Sequence, residues 1–436
     1  MHSIKHTYWR YVLQNMLGMA GVSFYILADT FFISMAVGAD GITALNLVLP
    51  LYNFIFAVGA MIGVGSAIRY TVAKSRGDDE AGRYFFNAII WGLVFGSIFI
   101  AIGLFAPDGL LRLLGADDTI AAVGKSYTRI FMMFAPAFMW NNMCNVFVRN
   151  DGNPSRAMLA TLLSSLFNIV FDYVLMFPLG MGMSGAALAT ALSPLVGIGI
   201  CCTHFFSKRN TIPFHFARPS VSRLVKSCQV GVSAFVGEMS SGVTTMVFNY
   251  LILGLAGNVG VAAYGVVANT ALVATAFFNG VAQGTQPLVS ACYGKGDQKD
   301  VRLLGRMSLL TALGVAAILW SVMLIWSGPI GGIFNREHNM ALQQMAEQGL
   351  KLYFIGFFFA GINIVGTSLL SSVEAAGWAM AASLLRGFVA ICACAFVMSQ
   401  LLGMTGVWLA FAAAEGITMI VTMIALGKEG YITSKK

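Results

Sequence analysis

The chain has 436 residues, of which 58% are hydrophobic and only 10% are charged, and its mean hydropathy is +0.78. This composition excludes an ordinary soluble domain and is typical of a protein that crosses a membrane many times. The net charge of +8 does not require a nucleic-acid partner, because the distribution of Lys and Arg between loops explains most of it.

Twelve apolar runs follow one another along the chain, and each is long enough to cross the bilayer, which takes about 20 residues in a helix. They lie at 11–36, 42–68, 85–106, 126–148, 154–178, 184–206, 224–254, 262–287, 306–327, 348–372, 379–402 and 404–427. The sequence therefore predicts an all-α membrane protein with twelve transmembrane helices.

The loops between these spans differ in charge. One set of alternate loops, together with the adjoining span ends, holds 21 of the 26 Lys and Arg residues. Such loops are cytoplasmic by the positive-inside rule. Because the number of spans is even, we expect both termini in the cytoplasm and the protein in the inner membrane of a bacterium.

Spans 1 and 5 carry acidic residues inside their apolar runs. Asp29 and Asp172 lie about seven and about six residues from the outer ends of these spans, at similar depth. An acid in the hydrocarbon core costs about 2.5 to 3.5 kcal/mol and usually faces a cavity or a partner. Asn168 precedes Asp172 by one helical turn, so its amide could hydrogen-bond the carboxyl. Together they predict a proton or cation site; a polar pair that only joins two spans is the alternative.

Two further spans add polar residues to the N-terminal half. Thr190 lies about one and a half turns inside the outer end of span 6, close to the depth of Asp29 and Asp172. Span 4 carries Asn141 and Asn145 on one helical face. The turn that follows provides Asn153 as an N-cap for span 5 and Pro154 at its first helical position.

The second half of the chain repeats landmarks of the first. At an offset of 219, Gly38, Gly41, Gly65 and Arg76-Gly77-Asp78 align with Gly257, Gly260, Gly284 and Lys295-Gly296-Asp297, and at 221 residues 182–189 align with 403–410. Six spans per repeat is an even number, so the halves are related by an axis along the membrane normal. We predict an N-terminal lobe (1–207), a cytoplasmic linker (208–223) and a C-terminal lobe (224–436), pseudo-symmetric and enclosing a central cavity.

The second half has embedded polar residues of its own. They are Glu238 and Asn249 in span 7, Asn279 and Gln283 in span 8, Asn363 in span 10, Arg386 in span 11 and Glu415 in span 12. Arg386 could reach back toward the inner headgroups or pair with Glu415. His204, His215 and His338 lie in loops or at span ends, where we expect surface positions.

The energy source is expected to be an ion gradient. The chain has no P-loop pattern GxxxxGK[ST], and the repeat is the arrangement that alternating access requires. Moving one charge through 100 mV contributes about 2.3 kcal/mol, and one pH unit adds about 1.4 kcal/mol. A secondary transporter is therefore predicted, rather than an enzyme or a channel, for which no clustered nucleophile, base or metal-ligand spacing is found.

The twelve spans in two repeats, Asp29 in span 1 and Asn168-x-x-x-Asp172 in span 5 resemble the multidrug and toxic compound extrusion (MATE) transporters over nearly the whole chain. The resemblance is greatest to the prokaryotic branch related to the DNA-damage-inducible transporters. It implies a proton or Na⁺ site formed by Asp29, Asn168, Asp172 and Thr190, with Na⁺ held by the first three. It also implies Tyr127 and Asn145 as neighbours. Glu238 matches an acid of the other bacterial branch. That branch pairs it with an Asp in span 10, and here this span offers only Asn363.

The resemblance implies export of bulky, often cationic, amphipathic compounds in exchange for H⁺ or Na⁺. Substrate-binding candidates are Glu238, Asn141, Gln283 and Asn363. We expect no cofactor apart from the coupling ion, and a monomer in the bilayer. A lipid-linked oligosaccharide flippase is the alternative, but a pyrophosphate site should show several Arg or Lys, and away from their ends the spans offer only Arg386.

Overall fold

The structure is a computed structural model that describes residues 2–213, 218–335 and 339–431. All regular secondary structure in these ranges is helical. The helices are α1 (His2–Ala36), α2 (Ala39–Ser75), α3 (Arg83–Phe105), α4 (Pro107–Leu113), α5 (Asp118–Met133), α6 (Ala135–Asn150), α7 (Pro154–Met176), α8 (Gly182–Cys202), α9 (Val221–Gly294), α10 (Gln298–Phe334), α11 (Met340–Tyr353), α12 (Gly356–Ser372), α13 (Ala376–Leu384) and α14 (Ile391–Lys428), with a π-helical turn at Leu385–Ala390.

Every predicted apolar run coincides with helix. Within the described ranges, eight helices are long and apolar enough to cross a membrane, or nine when α11 and α12, which meet at 49°, count as one bent span. Gly257 interrupts α9 with non-helical backbone between predicted spans 7 and 8. Gly403 does the same in α14, between span 12 and the end of span 11, which begins in α13. The break between α5 and α6 falls at Phe134, two residues before Pro136, whose ring cannot continue a helical hydrogen-bond ladder. With these breaks, the described ranges hold twelve spans, as the sequence predicts.

The predicted repeat has a direct counterpart in the backbone. Three pairs of aligned glycines share left-handed φ angles in both halves: Gly38 and Gly257 (78° and 61°), Gly77 and Gly296 (78° and 77°), and Gly182 and Gly403 (53° and 59°). A side chain is strained in this conformation, whereas glycine adopts it freely. The repeat therefore fixes where spans end and connections turn.

The chain folds as two compact units. The N-terminal unit is Leu17–Glu238, and the C-terminal unit is Met1–Met16 with Met239–Lys436. The start of α1 belongs to the C-terminal unit, where the Tyr8 hydroxyl donates to Thr311 at 2.8 Å. The start of α9 belongs to the N-terminal unit, because a Cβ at Gly65 would lie 1.9 Å from the carbonyl oxygen of Ser227. These bounds differ from the predicted lobes, whose limits stay a prediction, and residues 214–217 of the predicted linker lie outside the described ranges.

Candidate cation and substrate sites

In the N-terminal unit, helices α1 and α8 pack closely against α7 at glycine residues. On α7, the cap is the Asn153 side chain, which accepts from the backbone N–H of Arg156 at 3.4 Å, as the sequence predicts. A Cβ at Gly185 of α8 would lie 3.0 Å from the α7 backbone at Leu175, and one at Gly21 of α1 would lie 2.7 Å from Leu162. These close approaches set the positions of the polar side chains that the three helices carry.

Four predicted site residues meet in this unit. Asn168 and Asp172 are fully buried, and Thr190 and Asp29 are 4% and 9% exposed. The Asn168 amide nitrogen donates to the Thr190 hydroxyl at 3.3 Å. The carboxyls of Asp29 and Asp172 lie within hydrogen-bonding reach of each other. Helix α1 thus places a carboxyl beside Asp172, and α8 places a hydroxyl beside Asn168.

The oxygen atoms of this cluster lack donors. Both carboxylate oxygens of Asp172, Oδ1 of Asp29 and Oδ1 of Asn168 are buried and receive no hydrogen bond from any described residue. A buried charge without a partner is unfavourable, and two carboxyls side by side cannot both ionise cheaply. A shared proton would relieve this cost, and so would a bound cation, since carboxylate and amide oxygens are the ligands of hard cations. The donor set fits H⁺ or Na⁺.

Tyr127 lies close to the site carboxyls, whereas Asn145 lies apart from them. The Tyr127 hydroxyl is buried within reach of Thr190 and close to both carboxyls. Asn145 donates to the carbonyl of Ala157 at 3.0 Å and to the Thr161 hydroxyl at 2.8 Å. Thr161 precedes Asn168 by about two helical turns, so Asn145 lies apart from the carboxyls.

One predicted contact within the cluster is wrong. The spacing of Asn168 and Asp172 predicts an amide-to-carboxyl hydrogen bond, but the Asn168 amide nitrogen points to Thr190 instead and leaves Asp172 without a donor. The physical reason is the packing of α8 against α7, which offers the amide an acceptor on another helix. The unpaired carboxyl strengthens the case for a coupling group.

The structure adds a tyrosine pair that the sequence analysis missed. The hydroxyls of Tyr25 and Tyr52 are 3.2 Å apart. Tyr25 lies one turn before Asp29 on α1 and close to the carboxyls of both site acids. The spacing of Tyr25 and Asp29 was the available signal. These hydroxyls extend the polar surface of the cluster.

The substrate-binding candidates have different surroundings. The Glu238 side chain is exposed, while Gln283 and Asn141 are half-buried. The side-chain oxygen Oδ1 of Asn141 packs against Gly197, since a Cβ on that glycine would lie 2.2 Å from it. This oxygen receives no hydrogen bond from a described residue. Asn363 is fully buried, and its amide donates to the Glu415 side chain at 2.7 Å. A role in substrate binding stays a prediction for all four.

The two alternatives for Arg386 are now distinguished. Its Nε donates to Oε1 of Glu415 at 2.5 Å, so the predicted pairing is correct and a reach toward the headgroups is not seen. The pair lies within the C-terminal unit, between the π-helical turn and α14.

Asp151, in the turn before α7, is a further buried acid that the sequence analysis missed. It accepts from Tyr70 at 2.7 Å, from Lys74 and His204 at 2.8 Å each, and from the backbone N–H and hydroxyl of Thr211. Burial alone would raise the pKa of Asp151, but the hydrogen bonds from His204, Lys74 and Thr211 outweigh it and hold that pKa well below its usual range. Asp151 therefore stays ionised and does not resemble a proton carrier.

His204 is part of this cluster, so its predicted surface position is wrong. It is fully buried, with Nε2 on Asp151 and Nδ1 3.2 Å from the Asn153 amide. The chain after α8 turns back toward the start of α7, which the sequence pattern does not reveal. The other two histidines of that prediction, His215 and His338, lie outside the described residues.

Comparison with known proteins agrees with this fold. The family model described as MatE matches residues 15–174 and 234–396. A protein of Staphylococcus saprophyticus called multidrug export protein MepA is 26% identical over 412 residues, covering 94% of this chain and 90% of the relative. The protein of the same name from Staphylococcus aureus is 25% identical, with 94% and 91% covered.

Solved structures have the same fold. An outward-facing multidrug resistance MATE family transporter of the MOP superfamily superimposes with a TM-score of 0.91 at 23% identity, covering 98% of this chain and 96% of that one. A MOP superfamily transporter from Pyrococcus furiosus, described as having a binding pocket of reverse polarity, gives 0.91 at 22% identity, with 99% and 97% covered. Since the family model spans more than half of the sequence and the twelve spans form the expected repeat, the chain belongs to the MatE family.

Proposed function

We propose that this protein is a secondary multidrug efflux antiporter, which exports amphipathic, often cationic, organic compounds in exchange for H⁺ or Na⁺. The observation that carries the proposal is the group of buried oxygen atoms without donors on Asp29, Asn168 and Asp172. Such a group binds a cation or a proton and releases it when the surroundings change. The export activity named for the MepA relatives supports the substrate class.

The mechanism follows from the repulsion between the two carboxyls. A proton or Na⁺ that enters from outside removes the repulsion between Asp29 and Asp172, and the two helices α1 and α7 then pack more closely. Gly18 and Gly21 give α1 places to bend. The change expels the drug, and release of the ion to the inside resets the site. On this proposal the protein is a monomer in the bacterial inner membrane with both termini in the cytoplasm.

A flippase for lipid-linked oligosaccharides has less support. A pyrophosphate needs several cationic side chains, whereas the charge of Arg386 is offset by Glu415 within the C-terminal unit. The oxygen-rich cluster of the N-terminal unit suits a cation instead.

The deciding experiment is transport into inside-out vesicles, with a proton gradient or a sodium gradient imposed separately. We expect one of the two gradients to drive uptake of a cationic dye, and collapsing that gradient to stop it. Empty vesicles and vesicles without a gradient are the controls. If neither gradient drives uptake of any cationic dye, the antiporter assignment is wrong.

Glu238 should increase the affinity for cationic substrates without coupling their transport to the ion. We expect Glu238→Gln to weaken transport of a cationic dye about tenfold, since a partly desolvated charge pair contributes about 1.4 kcal/mol or more. A neutral substrate should lose much less. The Michaelis constants of both substrates are measured, with Glu429→Gln, at the end of α14, as the matched control. Equal losses for both substrates would instead assign Glu238 to coupling.

A further inference from the structure

Arg386 lies in an unusual stretch of backbone in the C-terminal unit. The turn Leu385–Ala390 between α13 and α14 is π-helical. A π-turn holds one extra residue, re-aims the side chains on it and frequently occurs at functional sites. The turn is packed tightly in place, because a Cβ at Gly387 would lie 2.3 Å from Cβ of Ser240 on α9.

A chain of hydrogen bonds fixes the orientation of the guanidinium. Its Nε donates to one carboxylate oxygen of Glu415 at 2.5 Å, and the other oxygen accepts from the Asn363 amide at 2.7 Å. The side-chain oxygen Oδ1 of Asn363 in turn accepts from the Thr422 hydroxyl at 2.8 Å. The acid, the amide and the hydroxyl are buried. Each link is satisfied, and such networks are rigid.

The terminal nitrogens of Arg386 remain available. Among the described residues, its Nε on Glu415 is the one hydrogen bond that the guanidinium makes, and its side chain is 24% exposed. Donors at this depth in a membrane require an oxygen acceptor or a water-filled cavity. A carboxylate matches the two parallel N–H groups of a guanidinium edge in a bidentate pair.

The depth of Arg386 favours one source of that carboxylate. Seven residues separate it from the predicted inner end of span 11 at residue 379, which is about 10 Å along a helix. That is about a third of the roughly 30 Å hydrocarbon core, and the hydrogen bond to Glu415 keeps the guanidinium from reaching back to the inner headgroups. Lipid headgroups stay at the membrane surface, whereas an amphipathic substrate in transit passes the middle of the membrane.

We propose that Arg386, held by Glu415 and Asn363, is a subsite for the carboxylate of zwitterionic amphipathic substrates. The proposal rests on the proposed export function and names the residue that recognises one chemical group of its substrates. Because the guanidinium is already paired, the subsite has little net charge. It therefore accepts an anionic group without excluding substrates that lack one.

The test compares a rhodamine dye that has a free carboxylate with its methyl ester. Binding to the purified full-length protein is measured without a gradient by fluorescence polarisation, in vesicles of neutral phosphatidylcholine. Arg386→Lys keeps the positive charge beside Glu415 but loses the two parallel N–H groups of the guanidinium. We expect it to weaken binding of the carboxylate dye about tenfold. The ester should change less than about twofold. Arg112→Lys, in the exposed pair with Asp118, is the matched control.

The remaining outcomes decide the proposal as well. If Arg386→Lys does not fold, the double variant Arg386→Gln with Glu415→Gln removes both charges together and should show the same selective loss. An unchanged ratio of the two dissociation constants overturns the subsite. If the difference between wild type and Arg386→Lys for the carboxylate dye vanishes in vesicles of anionic phosphatidylglycerol, a lipid headgroup occupies the guanidinium, which also overturns the subsite. Loss of gradient-driven transport for both dyes, with selective binding intact, contradicts only the proposed export function.

Discussion

Asp172→Asn is expected to abolish gradient-driven export while the protein still folds and inserts into the membrane. The physical reason is that Asp172 has no hydrogen-bond donor among the described residues, so the structure does not depend on its charge. A neutral amide is also easier to bury than a carboxylate. Export, however, requires a group that binds a proton or Na⁺ and releases it during each transport cycle. We expect the same result for Asp29→Asn, because the two carboxyls act as one pair.

The measurement is dye export from proteoliposomes at matched protein level, with folding checked by size-exclusion chromatography. Asp118→Asn is the control, since its carboxyl is 88% exposed and its partner Arg112 is 66% exposed. Binding of the dye without a gradient should persist in both site variants. Export by either variant with unchanged pH and sodium dependence would rule out this pair as the coupling site.

The positions of these two acids along their spans were predictable from the sequence. Charged residues inside apolar runs are rare and therefore indicate functional positions. Counting from the outer span ends places Asp29 and Asp172 at similar depth. Gly38 and Gly257, which both have positive φ angles, likewise belong to a repeat that can be recognised in the amino-acid sequence. Span number, repeat and depth depend on local composition, and the sequence contains that information directly.

Contacts between helices were not predictable in the same way. The direction of the Asn168 amide depends on which residue of α8 lies opposite, and the close approach at Gly185 decides that. The turn of the chain after α8 that buries His204 has no periodic pattern. The same holds for the π-helical turn at Arg386, because a single extra residue in a helix leaves no trace in hydropathy.

Asp151 gives the opposite expectation to Asp172, since its carboxylate is fully hydrogen-bonded. We expect Asp151→Asn to reduce the free energy of unfolding by about 2 to 4 kcal/mol, because an amide cannot accept from all of the donors that surround the carboxylate. The contribution of Lys74 is at the low end, since its side chain is 39% exposed. Export per folded molecule should stay near that of the wild type, which separates a structural acid from a coupling acid.

The pH dependence of this loss has a definite sign. The folded-state pKa of Asp151 lies below its usual range, so the stability it contributes is fully present above the ordinary Asp pKa of about 4 and is lost as the pH falls through the lower folded value. The difference in melting temperature between wild type and Asp151→Asn should therefore be constant from about pH 5 to 8. It should shrink in stronger acid, while Asp118→Asn shows no such difference. A gap that opens or closes between about pH 6 and 8 would contradict this expectation, and would mean that the cluster responds to pH during transport instead of holding the fold.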